Sequence, residues 1–325
     1  MLQFLVRRLI GAVVIMFLIG AFTFFLFYTI PQDFAQLSCG KNCTPENIAV
    51  IRDNLGLDKP ITAQFWDFMS GIVVGRDFPV GHCPAPCLGQ SFSTGDFVWD
   101  SIMDRFPLTL SLTIGGLVIF LIVGLGSGLL AAWKRGTWID KTVSGASMLL
   151  SSFQIYLLGP IVLGIFVYST GWMENPKYVP FMDNPWKWAV GLVIPWAVMA
   201  TIFTAQYTRM ARSTMIEQLQ EEHVRTARAK GMAARYVFFR YAWRGSLAPI
   251  VTILGMDLSG LLAGGVVTEF TFDLAGLGRL AVDSSLTKDL PLTMGVMLFG
   301  AFFILLLNIV VDIAYAYIDP RVRLA

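Results

Sequence analysis

Few side chains in this sequence can do chemistry, and those that can fall into three groups. Four cysteines form two CxxxC pairs, CGKNC (Cys39, Cys43) and CPAPC (Cys83, Cys87). Six Lys/Arg residues crowd 221–245, EEHVRTARAKGMAARYVFFRYAWRG, about Gly231. One acid, Asp257, and the pair Asn308 and Asp312 interrupt otherwise apolar runs.

Cysteines in an oxidising compartment pair, so these four are candidate disulfide partners. Four cysteines allow three connectivities. A bridge within either CxxxC closes a tiny loop, whereas bridges between the two would staple more chain and stabilise more. A metal site using His82 beside Cys83 competes, but the spacing fits no zinc template well. The basic run offers ion pairing, not catalysis. The chain has no G-x-x-x-x-G-K-[ST] phosphate loop, no zincin motif, no nucleophile elbow and only two histidines. A non-catalytic chain that binds no metal or cofactor of its own is therefore expected.

The elements that must position these groups are membrane-spanning. Of 325 residues, 55% are hydrophobic and 14% charged, and the mean hydropathy is +0.65. Charge this sparse cannot cover a soluble protein of this length. Six apolar runs, 9–30, 106–132, 142–170, 187–206, 247–268 and 292–316, are long enough to span, since a spanning helix needs about 20 residues. The first follows Arg7 and Arg8 but is too long for a signal-peptide core and has no small-residue cleavage site. With the N-terminus inside, the cytosolic pieces 1–8, 133–141, 207–246 and the tail after Tyr317 hold 15 of the 24 basic residues. The positive-inside rule then puts both termini in the cytosol.

The expected fold is all-α and integral to the membrane, with six helices, N-in and C-in. The chain divides into residues 1–30 with the first helix, an outer segment 31–105, and a five-helix core 106–325 with a cytosolic loop at about 207–246. In the outer segment Thr44–Leu57 reads as a short helix capped by Thr44 with Pro45 at its first position, and an amphipathic piece follows at about Ile61–Ile72. Too small for its own core, the segment reads as a cap on the membrane surface. Gly124-x-x-x-Gly128 and Gly260-x-x-x-Gly264 suit close helix packing. Asp257 either pairs with a neighbouring helix or lines a wet pathway.

The basic loop reads as helix, glycine corner, helix. Glu221 stands four residues before Arg225, Arg228 and Lys230 suit a helix C-terminus, and Gly231 suits a left-handed cap. A second basic helix runs from about Met232 into the fifth span.

VRTARAKG, with Arg240, Arg244 and Pro249 beyond it, resembles the cytosolic loop of binding-protein-dependent ABC importer permeases of the oligopeptide/dipeptide type. The resemblance covers nearly the whole chain: FLVRRL at the start, TPENIAVIRDNLGLDKP, KRGTWIDK, TEFTFDLAGLGRLAVDSSLTKDLPLTMGV, and NIVVDIAYAYIDPRVR at the end. It implies a bacterial inner-membrane subunit that pairs with a homologous permease to form the channel. An external binding protein delivers solute, and two ATP-binding subunits, carrying ATP and Mg, dock on the loop. No nucleic acid is implied. The docking residues it implies are Glu221, Glu222, Arg225, Ala227, Arg228, Lys230, Gly231, Met232 and Ala233, with the cations meeting acids on the ATPase rim and Ala227, Met232 and Ala233 entering its groove. Ala275, Gln154 and Gly245 stand where the family usually has proline, proline and asparagine, and CPAPC looks like an insertion. Peptides are the expected solute; nickel chelates and glutathione are the alternatives within the branch. A lone ion-coupled carrier would need more buried charge than this chain has.

Overall fold

The computed structural model describes residues 2–29, 52, 59–78, 80–262 and 265–318. Its helices are α1 (Leu2–Thr29), α2 (Ile61–Val74), α3 (Val98–Phe120), α4 (Gly126–Trp133), α5 (Trp138–Ser151), α6 (Ile155–Leu163), α7 (Pro185–Gln218), α8 (Glu222–Ala229), α9 (Ala234–Tyr236), α10 (Trp243–Leu262), α11 (Val266–Thr271), α12 (Leu277–Leu286) and α13 (Leu290–Ile318). Wider π-helical turns occupy Leu121–Leu125, Gly164–Ser169 and Val237–Ala242. A two-residue link separates β1 (Arg76–Phe78) from β2 (Gly81–Cys83), which pair antiparallel. The helix expected at Thr44–Leu57, Cys39 and Cys43 lie outside the described residues, apart from Arg52, which is helical.

The described residues contain five helices long and apolar enough to cross a membrane, or six if the bent pair 138–169 is one span. That pair is the third apolar run, expected at about 142–170, and it is sharply bent. α5 and the helix from Ile155 meet at 96°. The bend stands at Gln154, in extended conformation (φ −88°, ψ 150°), where the family usually has proline. In the turn before the bend Ser151 Oγ and Ser152 Oγ both donate to the Met148 carbonyl, at 2.8 and 3.1 Å. Such local bonds compete with the helical ladder. The fifth span, expected at about 247–268, differs in its bounds. Its helical run starts earlier, at Ala234, and ends at Leu262, before the separate short helix α11.

The chain forms two compact units that interleave in sequence, residues 1–107 with 275–305 and residues 108–274 with 306–325. In the first, Phe24, Phe65, Phe68, Val98, Ile102, Leu277, Leu292 and Leu298 share one core. Residues 275–305 therefore pack with the N-terminal part of the chain, although sequence order alone grouped them with the permease core. Asp289 starts α13: its Oδ1 accepts from the Leu292 N–H at 3.3 Å, and its Oδ2 accepts from Ser91 Oγ (2.5 Å) and Ser93 N–H (3.0 Å). One carboxylate thus caps a helix and ties down the loop after the cysteines.

Cys83 and Cys87 form a disulfide, with Cα atoms 5.7 Å apart. The sequence left three connectivities open, and the structure shows the one within CPAPC. Loop entropy says which bridge would stabilise most, but local geometry decides which sulfurs meet. The β hairpin and its exit turn bring residues 83 and 87 together. His82 Nδ1 lies 2.6 Å from Asp77 Oδ1 across the hairpin.

In the second unit α7 is the central element and packs against α4, α5, α6 and α10. Asn184 caps it, accepting from the Lys187 N–H at 3.0 Å, and Pro185 takes the first turn, where no N–H is needed. Gly124 and Gly128 permit the α4–α7 contact: a Cβ on Gly128 would lie 2.6 Å from the Thr208 carbonyl oxygen. Gly260 differs, because a Cβ there would meet nothing within 4 Å.

Candidate functional site

The site is the basic loop of the second unit, and its foundation is an ion pair. Arg212, near the end of α7, grips Asp140 of α5 through two bonds, Nε to Oδ1 at 2.5 Å and Nη2 to Oδ2 at 2.9 Å. The Gly136 N–H donates to the same Oδ2 at 2.9 Å. Asp140 is buried, so a two-pronged guanidinium is what lets a carboxylate sit there. This pair was not singled out in the sequence, although a lone acid within a basic cytosolic loop is a usable signal.

Beyond Arg212 the chain turns at Leu219–Glu221 and starts α8. Glu221 is the residue before the helix, in extended conformation, so it does not pair along a helix face with Arg225 as expected. Glu222 does instead, with its Oε1 accepting from Arg225 Nη1 at 3.3 Å. Both partners are exposed, and such pairs contribute little.

α8 has two faces. Val224 and Ala227, three residues apart, are buried with Met215, Val237, Phe238 and Ala242. Met232 and Trp243 pack at the edge of this cluster. Ala227 is thus turned into the chain's own core, which corrects the expectation that it enters a partner's groove. Met232 divides its surface between that core and solvent. On the other face Glu221, Glu222, Arg225, Arg228, Lys230 and Ala233 are exposed.

Gly231 ends α8 with φ +75°. The Gly231 N–H donates to the Arg228 carbonyl at 2.9 Å and the Met232 N–H to the Ala227 carbonyl at 3.4 Å. These are the two bonds of a Schellman cap, and the shared apolar cluster of Ala227 and Met232 completes it. The chain then re-enters a helical run at Ala234, two residues later than expected, and continues into α10.

Cations continue past the corner. A cavity of about 590 Å³ is lined by His223, Tyr236, Arg240, Tyr241, Arg244, Gly245 and Ala248. Gly245, where the family usually has asparagine, sits beneath Gln218 at the end of α7; a Cβ there would lie 1.9 Å from Gln218 Oε1. The glycine lets the end of α7 close on the start of α10, bringing both ends of the loop together.

Farther from the loop, Asp257 of α10 accepts a hydrogen bond from Tyr207 Oη of α7 at 2.9 Å. Glu269 of α11 is fully buried and accepts from Thr109 Oγ1 of α3 at 2.7 Å. Glu269 belongs to the TEFTFDLAGLG stretch and was not singled out; a lone acid next to an apolar run is the signal that could have found it. No group of three or more His, Cys, Asp or Glu suited to a metal ion occurs among the described residues.

Residues 124–324 match the family described as binding-protein-dependent transport system inner membrane component. Residues 1–113 match its N-terminal membrane component. The chain belongs to this family.

It is 34% identical over 323 residues to a putative peptide transport system permease protein of Brucella abortus (strain 2308), covering 99% of each chain. It is 30% identical over 320 residues to a probable peptide ABC transporter permease of Sinorhizobium fredii, covering 98% of this chain and 99% of that one. It is 32% identical over 323 residues to the glutathione transport system permease protein of Escherichia coli (strain K12), again covering 99% of each. A permease of this family with several long apolar helices is a multi-pass inner-membrane protein of bacteria and one subunit of a larger transporter.

Proposed function

We propose that this chain is the permease subunit of an ATP-driven importer that moves di- or oligopeptides handed over by an external binding protein. The observation that carries the reading is α8: a short helix with its apolar face locked in the core, its cationic face exposed and its end fixed by a glycine cap. Such an element transmits force. An ATP-binding subunit seated on Arg225, Arg228, Lys230 and Ala233 would move α8, and the shared cluster would pass that motion to α4, α7 and the start of α10.

In this reading both termini and the loop face the cytosol, and the segment between α1 and α3 forms the extracytoplasmic cap. A homologous permease completes the channel. ATP and Mg bind the partner subunits, and this chain hydrolyses nothing. Asp257 is assigned to the translocation pathway, held there by Tyr207. The peptide-permease relatives in Brucella and Sinorhizobium favour peptides as cargo. The Escherichia coli relative favours glutathione as the second reading.

Affinity capture of the tagged chain from its own membrane tests the assembly. Recovery of two ATP-binding subunits and a second permease is expected, whereas a lone chain that still transports would reinstate an ion-coupled carrier. Binding of labelled dipeptides, tetrapeptides and glutathione to the external receptor then separates the two cargo readings.

A further inference from the structure

A second cavity of the same unit, about 510 Å³, lies between α4 and the turn that follows α9. Gly126, Leu129 and Leu130 form an apolar wall, Trp133, Phe238 and Phe239 an aromatic one, and Arg235 is the single charged side chain lining it. The rings are held against one another: Trp133 meets Phe238 edge-on at 4.7 Å and lies nearly parallel to Phe239 at 6.3 Å. Leu130, Trp133 and Phe239 are each more than 40% exposed. The floor is open, since a Cβ on Gly126 would meet nothing within 4 Å.

The cavity is graded along the helix. Its apolar wall is the last turns of a span that ends at Trp133. Tryptophan favours the headgroup level of a bilayer. Immediately beyond stand Lys134 and Arg135, both exposed, and Arg235 is exposed at the cavity itself. Among the described residues no acid lines the cavity, and the carboxylate of Asp140 is taken up by Arg212 and Gly136. An arginine at an apolar, aromatic-walled cleft, beside the end of a spanning helix, calls for one amphipathic, negatively charged occupant.

We propose that this cavity binds an anionic phospholipid, its acyl chain against Leu129, Leu130 and Phe239 and its phosphate on Arg235. The lipid would touch α4 and the Phe238–Phe239 turn at once. Phe238 also belongs to the cluster that anchors α8. A bound lipid would therefore brace the loop from the membrane side.

The test uses the transporter complex in bilayers of mixed phosphatidylglycerol and phosphatidylcholine, with one or the other lipid brominated to quench tryptophan. Subtracting the Trp133→Phe signal isolates Trp133 from the other tryptophans. Brominated phosphatidylglycerol is expected to compete about fivefold better than phosphatidylcholine for the site, the preference that one well-placed arginine supplies. Arg235→Gln should bring that ratio near one while Trp133 stays quenchable. Gly126→Leu, which extends into open space, should weaken quenching by both lipids. Equal quenching by both lipids in the unaltered protein, or a preference that survives Arg235→Gln, would overturn the proposal. So would a Trp133 that neither lipid reaches, because a protein partner would then fill the cavity.

Discussion

Removing Asp140 should be among the most damaging single changes in the second unit. The Asp140 side chain is 7% exposed and that of Arg212 32%. Asp140→Ala deletes both prongs of the pair and the Gly136 contact, leaving a guanidinium two-thirds buried with no counter-charge. Breaking a fully buried pair costs about 3–5 kcal/mol. Water still reaches part of Arg212, so a loss of roughly 2–3 kcal/mol is expected. Arg212→Met should cost somewhat more, because the charge it strands is the more buried one. The double variant should be more stable than the sum of the two losses by about 2 kcal/mol, since it strands neither. Unfolding in mixed micelles, titrated with a denaturing detergent and followed by tryptophan fluorescence, measures all four corners of that cycle. Added salt should barely change the result, whereas it would weaken an exposed pair. Because the pair sits where α7 leaves the apolar run to start the loop, uptake should fall in each single variant and partly return in the double. Additive losses, or single variants within about 0.5 kcal/mol of the parent, would refute the reasoning.

Gly231→Ala should lose about 1 kcal/mol through backbone strain alone, because its Cβ would meet nothing. Asn should lose less and Val more, and intact uptake by Gly231→Val would end the lever reading. Gly128→Ala should destabilise the unit, since its Cβ lies 2.6 Å from a backbone oxygen, whereas Gly260→Ala should be nearly neutral; thermal unfolding of the two compares them directly. Thiol labelling before and after reduction should show Cys83 and Cys87 blocked until reduced. Cys87→Ser should cost about 2 kcal/mol, the loop-closure value for so short a loop, and labelling of both cysteines without reductant would contradict the bridge. Asp257→Asn keeps an acceptor for Tyr207, so stability should hold while the rate of peptide uptake falls; unchanged uptake would remove Asp257 from the pathway.

Much of this was legible along the chain because its signals are local. Apolar runs of membrane length, the excess of Lys and Arg in 207–246, and a glycine after VRTARAK depend on neighbours a few residues apart, and so does the left-handed cap at Gly231. Asn184 before Pro185 is the same kind of signal. The sequence also held the family, through stretches distributed from Phe4 to Arg323.

What sequence could not decide involves partners far apart or hydrogen bonds that compete. Ala227 looked available for docking because nothing nearby marks which face of α8 is buried; Met215, Val237 and Phe238 settle that. The break at Gln154 has no proline to announce it. The disulfide follows a hairpin, not loop entropy. Residues 275–305 join the N-terminal unit because Leu277, Leu292 and Leu298 find Phe24 and Phe65 there. Asp140 and Arg212 are each unremarkable in their own stretch, 72 positions apart. Only the folded chain places their charges together, and burial then makes that meeting decisive.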